Sequence, residues 1–271
     1  MDRDCNIGVF DSGLGGLTVV RAIREALPDE RLVYLGDTAR VPYGTRSAHT
    51  ILRYARGCAR RLAEHDIKLL VVACNTVSAV ALPMLRVELD VPVIGVIEPG
   101  AAAGVRATEN DKIGVIATVG TVASCAYPRA IAAESTRVEV HQLPAPLLVP
   151  LVEEGWLDGE VPHLVARRYL EPLVAAGIDT LILGCTHYPL LAPVIAEEAE
   201  RLAGRPIAVV DSAHATALEL ARLLSERELS VTHGPGSLKI LVTDLPGRFA
   251  EVAARFLGHD VEGLDVQQID L

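Results

Sequence analysis

The sequence predicts an α/β protein made of two similar units, each with a mostly parallel sheet. Three observations carry this. Short apolar runs alternate with stretches of helical spacing along most of the 271 residues, the pattern of strands joined by helical crossovers. The order of those runs then recurs in the second half of the chain. And one pair of runs aligns without a gap: Ile67-Lys68-Leu69-Leu70-Val71-Val72-Ala73-Cys74-Asn75-Thr76 with Ile178-Asp179-Thr180-Leu181-Ile182-Leu183-Gly184-Cys185-Thr186-His187.

In chain order, Asn6 to Phe10 is the first apolar run, closed by Asp11-Ser12-Gly13-Leu14-Gly15-Gly16. Helical spacing follows through Val20, Ile23 and Leu27 and stops at Pro28, which cannot continue a helix. Leu32 to Leu35 is a second strand, ending at Gly36-Asp37, and residues 47–64 read as helix. The strand before Cys74 comes next, then a helix over about Val77 to Leu89 with Pro83 inside it. Val91 to Ile97 reads as a strand ended by Glu98-Pro99-Gly100.

Lys112 to Ile116 then echoes Asn6 to Phe10, with Thr118 where Ser12 was. Val138 to Leu143, the strand before Cys185, and Pro206 to Asp211 repeat the remaining three positions. The repeat sets two units near 5–98 and 111–212, followed by a tail. In the tail, helical spacing covers 213–227 and 248–257, and strands are expected near 238–243 and 261–269.

Half of the residues are hydrophobic, so a large core is available, and the net charge of −10 argues against nucleic acid as a partner, which calls for a basic face. No apolar run reaches the roughly 18 residues of a membrane helix, so no membrane association is expected. The acidic start Met1-Asp2-Arg3-Asp4 lacks the basic and apolar regions of a signal peptide. The five cysteines, Cys5, Cys58, Cys74, Cys125 and Cys185, are odd in number and form no CxxC pair. That fits reduced thiols and a cytoplasmic location.

Ligands of open α/β sheets sit beyond the carboxyl ends of the strands, where Cys74 and Cys185 fall. A single cysteine there is more often a packed core thiol; equivalent placement of two, each followed by polar side chains, favours chemistry. Two units facing each other would offer one small molecule two thiols, one to remove a proton from carbon and one to return a proton to the other face. Both cysteines precede expected helix starts, whose positive dipole end favours a thiolate over a thiol of pKa about 8.5. Asn75, Thr76, Thr186 and His187 stand at the same ends and suit a substrate carboxylate, and Asp11 and His187 are placed to orient the thiols or exchange protons with them.

Other residues have plainer readings beside the functional one. Asp11-Ser12-Gly13 with its glycines is either an anion-binding nest or a capped strand–helix turn. Thr118 and Thr121 read as N-caps, Asp37 and Tyr43-Gly44 as a loop, Glu153-Glu154 as a solvated face, and Trp156 as core or interface. Cys58 and Cys125 lie on helix-like stretches and read, like Cys5, as structural. Cys74, Cys185 and His187 are zinc-type ligands, but no fourth ligand is evident, so no metal is expected.

Across these stretches the chain resembles the cofactor-independent glutamate racemases of the aspartate/glutamate racemase family. The resemblance rests on Gly8-Val9-Phe10-Asp11-Ser12-Gly13-Leu14-Gly15-Gly16-Leu17-Thr18, on Tyr34 to Gly44, on Ala73-Cys74-Asn75-Thr76 and on Gly184-Cys185-Thr186-His187-Tyr188-Pro189. It runs from about residue 6 to the end and weakens after 212. It implies two flavodoxin-like domains related by a pseudo-twofold, with the active site in the cleft between them. The domains would be 1–98 with 212–271, and 99–211. It implies Cys74 and Cys185 as the acid/base pair, assisted by Asp11 and His187. Asp11, Ser12, Tyr43, Gly44, Asn75, Thr76, Thr118, Thr121, Thr186 and His187 would bind glutamate, with Asp37 and Glu153 nearby. No cofactor is implied, a homodimer is, and the D-glutamate product would serve peptidoglycan synthesis. Ala145 stands where many relatives have cysteine. The nearest alternatives are a racemase of aspartate or a related acid with the same two thiols, and a two-lobed amino-acid-binding protein without chemistry. A phosphoryl transferase using Asp11 would need clustered carboxylates for magnesium, which the turn after Asp11 lacks.

Overall fold

β1 (Asn6–Asp11) is the strand around which the first sheet is laid down, and its last five residues are buried. The computed structural model describes residues 2–231, 234–245 and 247–271. The chain divides into two compact units, one of residues up to Val96 together with Ala213–Leu271, the other Ile97–Ser212.

In the first unit β1 leads through α1 (Leu17–Ala26) to β2 (Arg31–Gly36), then α2 (Ala48–Ala63), β3 (Ile67–Val72), α3 (Asn75–Glu88) and β4 (Val93–Gly95). Each helix starts or stops where local chemistry dictates. Ser47 caps α2 by accepting a hydrogen bond from Thr50 N at 3.3 Å, and α1 gives way at Leu27 to Pro28. β1 pairs in parallel with β2, Ile7 opposite Leu32, and with β3, Ile7 opposite Leu69. Helices cover these strands, so they read as continuous apolar runs rather than alternating ones. Phe10, Leu35, Leu70 and Val72 join Ile51, Ala55, Leu62, Val77 and Leu85 of α2 and α3 in one core. Each such large side chain, fully withdrawn from water, contributes about 1.5–3 kcal/mol.

β4 is shorter than the expected Val91–Ile97 strand. Ile97 already opens α4 (Ile97–Ala107), and Glu98-Pro99-Gly100 lies in its first turn, where proline's missing N–H costs nothing.

The second unit continues with β5 (Lys112–Ala117), α5 (Val119–Ala123), α6 (Ala126–Glu134), β6 (Glu139–Pro144), α7 (Leu148–Glu153), α8 (Glu160–Ala175), β7 (Thr180–Gly184), a 3-10 turn at Tyr188–Leu191, α9 (Ala192–Ala203) and β8 (Ala208–Asp211). The tail supplies α10 (Ser212–Glu226), β9 (Ser237–Val242), α11 (Phe249–Leu257) and β10 (Asp265–Gln268).

Among the described residues the strands form a six-stranded sheet, β10-β9-β2-β1-β3-β4, and a four-stranded one, β6-β5-β7-β8. Both are parallel throughout. The second order is the core of the first, β2-β1-β3-β4, repeated strand for strand. This is the flavodoxin-like order, with its switch point beside the first strand of each unit. β9 and β10 extend the first sheet on the β2 side.

A buried ion pair ties down the joint between sheet and tail. Lys68, on β3 and fully buried, lies 2.6 Å from Glu30 and donates to the carbonyls of Arg3 and Leu229 at 2.7 and 2.8 Å. Its three donors are thereby matched. Glu30 in turn accepts from Val231 N at 3.0 Å. Trp156, expected in a core or interface, is 55% exposed in this chain. Among the described residues no helix is long and apolar enough to cross a membrane.

Candidate active site

Each unit gathers polar side chains at the carboxyl end of its third strand. In the first unit, Ala73 N donates to Phe10 O and Asp37 N to Asp11 O, which draws the ends of β1, β2 and β3 together. Asp11, buried, accepts from Gly13 N at 2.9 Å, an Asx turn that reverses the chain. Glycine is required here by close approach: a Cβ at Gly36 would lie 2.2 Å from Gly13 O, and one at Gly16 would lie 2.5 Å from the Asp11 Cβ. Tyr34 donates to Gly13 O at 2.6 Å from beneath. Its hydroxyl is held strongly protonated, first by burial and then by the negative potential of Asp11 and Cys74.

Cys74 is the N-cap residue of the 14-residue α3, so its thiol sits at the positive end of a full helix. Its sulfur is 3.3 Å from Ser12 Oγ. Asn75 and Thr76 are the first two residues of α3 and are buried. Tyr43 is 1% exposed and its hydroxyl donates to Asp37. The Tyr43 side chain is thus committed inward, and Gly44 beside it is half-buried.

The second unit is built differently. Cys185 follows β7, but no helix starts there. Cys185 O accepts from Tyr188 N at 3.2 Å, a tight turn leads into the 3-10 segment, and α9 begins only at Ala192, with proline in its first turn. The expectation that both cysteines precede helix starts thus holds for Cys74 and not for Cys185. The partner of Cys185 is a side chain. His187 Nδ1 lies 3.9 Å from its sulfur and 3.4 Å from Thr186 Oγ1, while Nε2 lies 3.1 Å from Glu153 Oε1. Burial alone would lower the His187 pKa; the bonds to Cys185 and Glu153 outweigh it and carry it up to about 10. The ring thus faces the sulfur with Nδ1 and the carboxylate with Nε2. Tyr188 fixes this turn from below, donating to Ala145 O at 2.8 Å, just ahead of the helix that ends in Glu153. Thr118 caps α5, accepting from Thr121 N at 3.2 Å, and its hydroxyl donates to that of Thr121 at 3.0 Å.

The fold thus brings Asp11, Ser12, Asn75 and Thr76 to one cysteine, and Thr186 and His187 to the other. Glu153, read from the sequence as a solvated face, is the partner of His187. Nothing in the spacing joins residues 153 and 187, since the whole of α8 lies between them. Cys58 is buried on α2, its thiol pushed up first by burial and then by Asp37. Cys125 is exposed. Among the described residues all five cysteines are free, and no group of three or more His, Cys, Asp or Glu is placed to hold a metal ion.

The double parallel-sheet architecture is shared over nearly whole chains with solved racemase structures. A glutamate racemase isoform, RacE1, from Bacillus anthracis superposes with a TM-score of 0.92 at 38% identity, covering 98% of each chain. A Francisella tularensis glutamate racemase in complex with D-glutamate gives 0.90 at 35% identity, covering 99% of this chain and 98% of that one. In sequence, the glutamate racemase of Geobacter metallireducens is 51% identical over 266 residues, 98% of this chain and 96% of the relative. The Asp/Glu/Hydantoin racemase family model matches residues 7–220. The chain belongs to that family.

Proposed function

We propose that the protein interconverts L- and D-glutamate without a cofactor, Cys74 and Cys185 each serving one face of the substrate's Cα. The observation that carries this is the repeat of chemistry on a repeat of topology. The same strand of two equivalent sheets ends in a cysteine, and each cysteine has its own polar partner. One thiolate removes the Cα proton and the other thiol returns one to the opposite face; the reverse reaction exchanges the roles. Asp11 and Ser12 assist Cys74, and His187, backed by Glu153, assists Cys185, as general acid–base catalysis requires of a matched pair. The backbone at Tyr43-Gly44, the start of α3 at Asn75 and Thr76, and the hydroxyls of Thr118, Thr121 and Thr186 are the groups suited to the substrate's carboxylates and ammonium. The near-half identity to curated glutamate racemases favours glutamate over aspartate. A cytoplasmic homodimer supplying D-glutamate for peptidoglycan is the setting that the resemblance supports.

The test is proton exchange in heavy water. Protein without added cofactor is incubated with L-glutamate, and optical rotation is followed together with loss of the Cα proton signal; L-aspartate is the control. Exchange with inversion for glutamate alone is the expected result. Inversion of aspartate instead would keep the mechanism and change the substrate. Silence with both would overturn the reading.

A further inference from the structure

We infer that Thr243, from the C-terminal tail, is a positioning residue for substrate binding, acting through Asp37 on the Tyr43-Gly44 segment. This rests on the reading above that this segment binds substrate. Thr243 directly follows β9, which pairs with β2 in register, Val242 opposite Gly36. That pairing delivers its hydroxyl to the end of β2. Thr243 Oγ1 donates to Asp37 Oδ1 at 2.9 Å and accepts from Ala39 N at 2.9 Å. Next to it, Asp244 N donates to Thr38 Oγ1 at 2.8 Å, and Thr38 Oγ1 donates to Asp244 O at 2.6 Å. The tail therefore clips residues 37–39 at four points.

Asp37 is fully buried and has three side-chain partners. These are Thr243, Arg40, whose Nε is 2.7 Å from Oδ2, and the Tyr43 hydroxyl. A buried carboxylate holds its place only while its acceptor sites are matched by donors. Tyr43 is the inward anchor of an otherwise outward loop: Val41 and Pro42 are exposed before it and Thr45 and Arg46 after it. The 43–44 backbone is held by the packed Tyr43 ring, which lies 5.5 Å from the Tyr54 ring, by the bond from Arg46 N to Tyr43 O, and by the hydroxyl–carboxylate contact to Asp37; that last contact is the polar one, and its carboxylate is set in part by Thr243. The tail, absent from the internal repeat, gives the first unit a brace for its ligand loop.

The test uses the full-length enzyme and separates KM from kcat. Thr243→Val keeps the shape and removes the hydroxyl. It should raise KM for glutamate by roughly tenfold, the scale of one charge-assisted hydrogen bond, while kcat stays within about twofold. Thr243→Ser, which restores the hydroxyl, should return KM to the wild-type value. Tyr43→Phe should raise KM likewise, and adding Thr243→Val to it should raise KM little further, because coupled residues are not additive. A lower melting temperature in Thr243→Val with unchanged KM would reduce Thr243 to a structural role and overturn the inference. Additive effects of the two substitutions would also overturn it. If Tyr43→Phe leaves KM unchanged, the route through the Tyr43 hydroxyl fails and the inference with it; if Gly44→Pro, which removes the backbone N–H, leaves KM unchanged, the underlying reading of the 43–44 segment fails instead. The two failures are therefore distinguishable.

Discussion

The Cys74 end and the Cys185 end occupy the same topological position yet solve the same chemical problem by different means. Cys74 caps a 14-residue helix and relies on its aligned peptide dipoles and on a neutral hydroxyl from Ser12. Cys185 leads into a turn and a four-residue 3-10 segment, where little dipole can accumulate, and relies on an imidazolium anchored by Glu153. The comparison teaches that a repeated fold fixes where a group stands but not what tunes it. A helix end is permanent and does not titrate. A histidine brings a charge and also a proton that pH can remove.

The strongest way to break the comparison is to delete each thiol. Cys74→Ala and Cys185→Ala should each lower racemisation by roughly a thousandfold or more, since in the proposed mechanism each removes one of the two acid/base groups. Racemisation at the wild-type rate by either variant would sink the two-thiol mechanism.

His187→Asn comes next, with an expected loss of about a hundredfold. The equilibrium constant of a racemisation is one, so kcat/KM must fall equally for both enantiomers; the asymmetry lies in isotope effects. When the Cys185 step is slowed, the enantiomer that gives its proton to Cys185 should show an increased primary effect on kcat/KM with Cα-deuterated substrate. The other enantiomer should show a diminished one, because its slow step is reprotonation. Equal substrate effects for both enantiomers would mean that His187 does not belong to Cys185 alone. Ser12→Ala should be milder, about three- to tenfold, and should show the reverse asymmetry.

The elements on which this comparison stands were unevenly legible. The duplicated strand order was readable because fully buried parallel strands are continuous apolar runs, and four of them recur in order. The cysteines were readable because a thiol at a strand end is marked by its own neighbours. The difference between the two ends was not. Pro189 looked like a helix opener after Cys185, but it opens only the 3-10 turn, and the helix waits for the second proline, Pro193. Glu153 reaches His187 across 34 residues and Thr243 reaches Asp37 across 206. Both contacts exist because parallel strands and their connections bring distant chain segments to one sheet end, which local spacing does not encode.

The smallest expected effect sharpens the comparison most, because it concerns what titrates. The Glu153 side chain is 51% exposed, so its pairing with His187 is discounted by solvent, and Glu153→Gln should cost only about two- to threefold in rate at neutral pH. Its signature lies in the proton. In the folded chain His187 titrates at about 10, against about 6.5 when unfolded. Below 6.5 both states hold the proton and the stabilisation from this group is fully present. Between 6.5 and 10 only the native state holds it, so stability falls as pH rises, and above 10 the contribution is gone. Removing the Glu153 charge should lower the His187 midpoint, followed by the carbon chemical shifts of its ring. The alkaline fall in stability should then finish at a lower pH than in wild type. Ser12→Ala, acting at the other end, should leave that midpoint unmoved. A midpoint unchanged in Glu153→Gln would show that sulfur alone holds the imidazolium, and Glu153 would drop out of the Cys185 half-site.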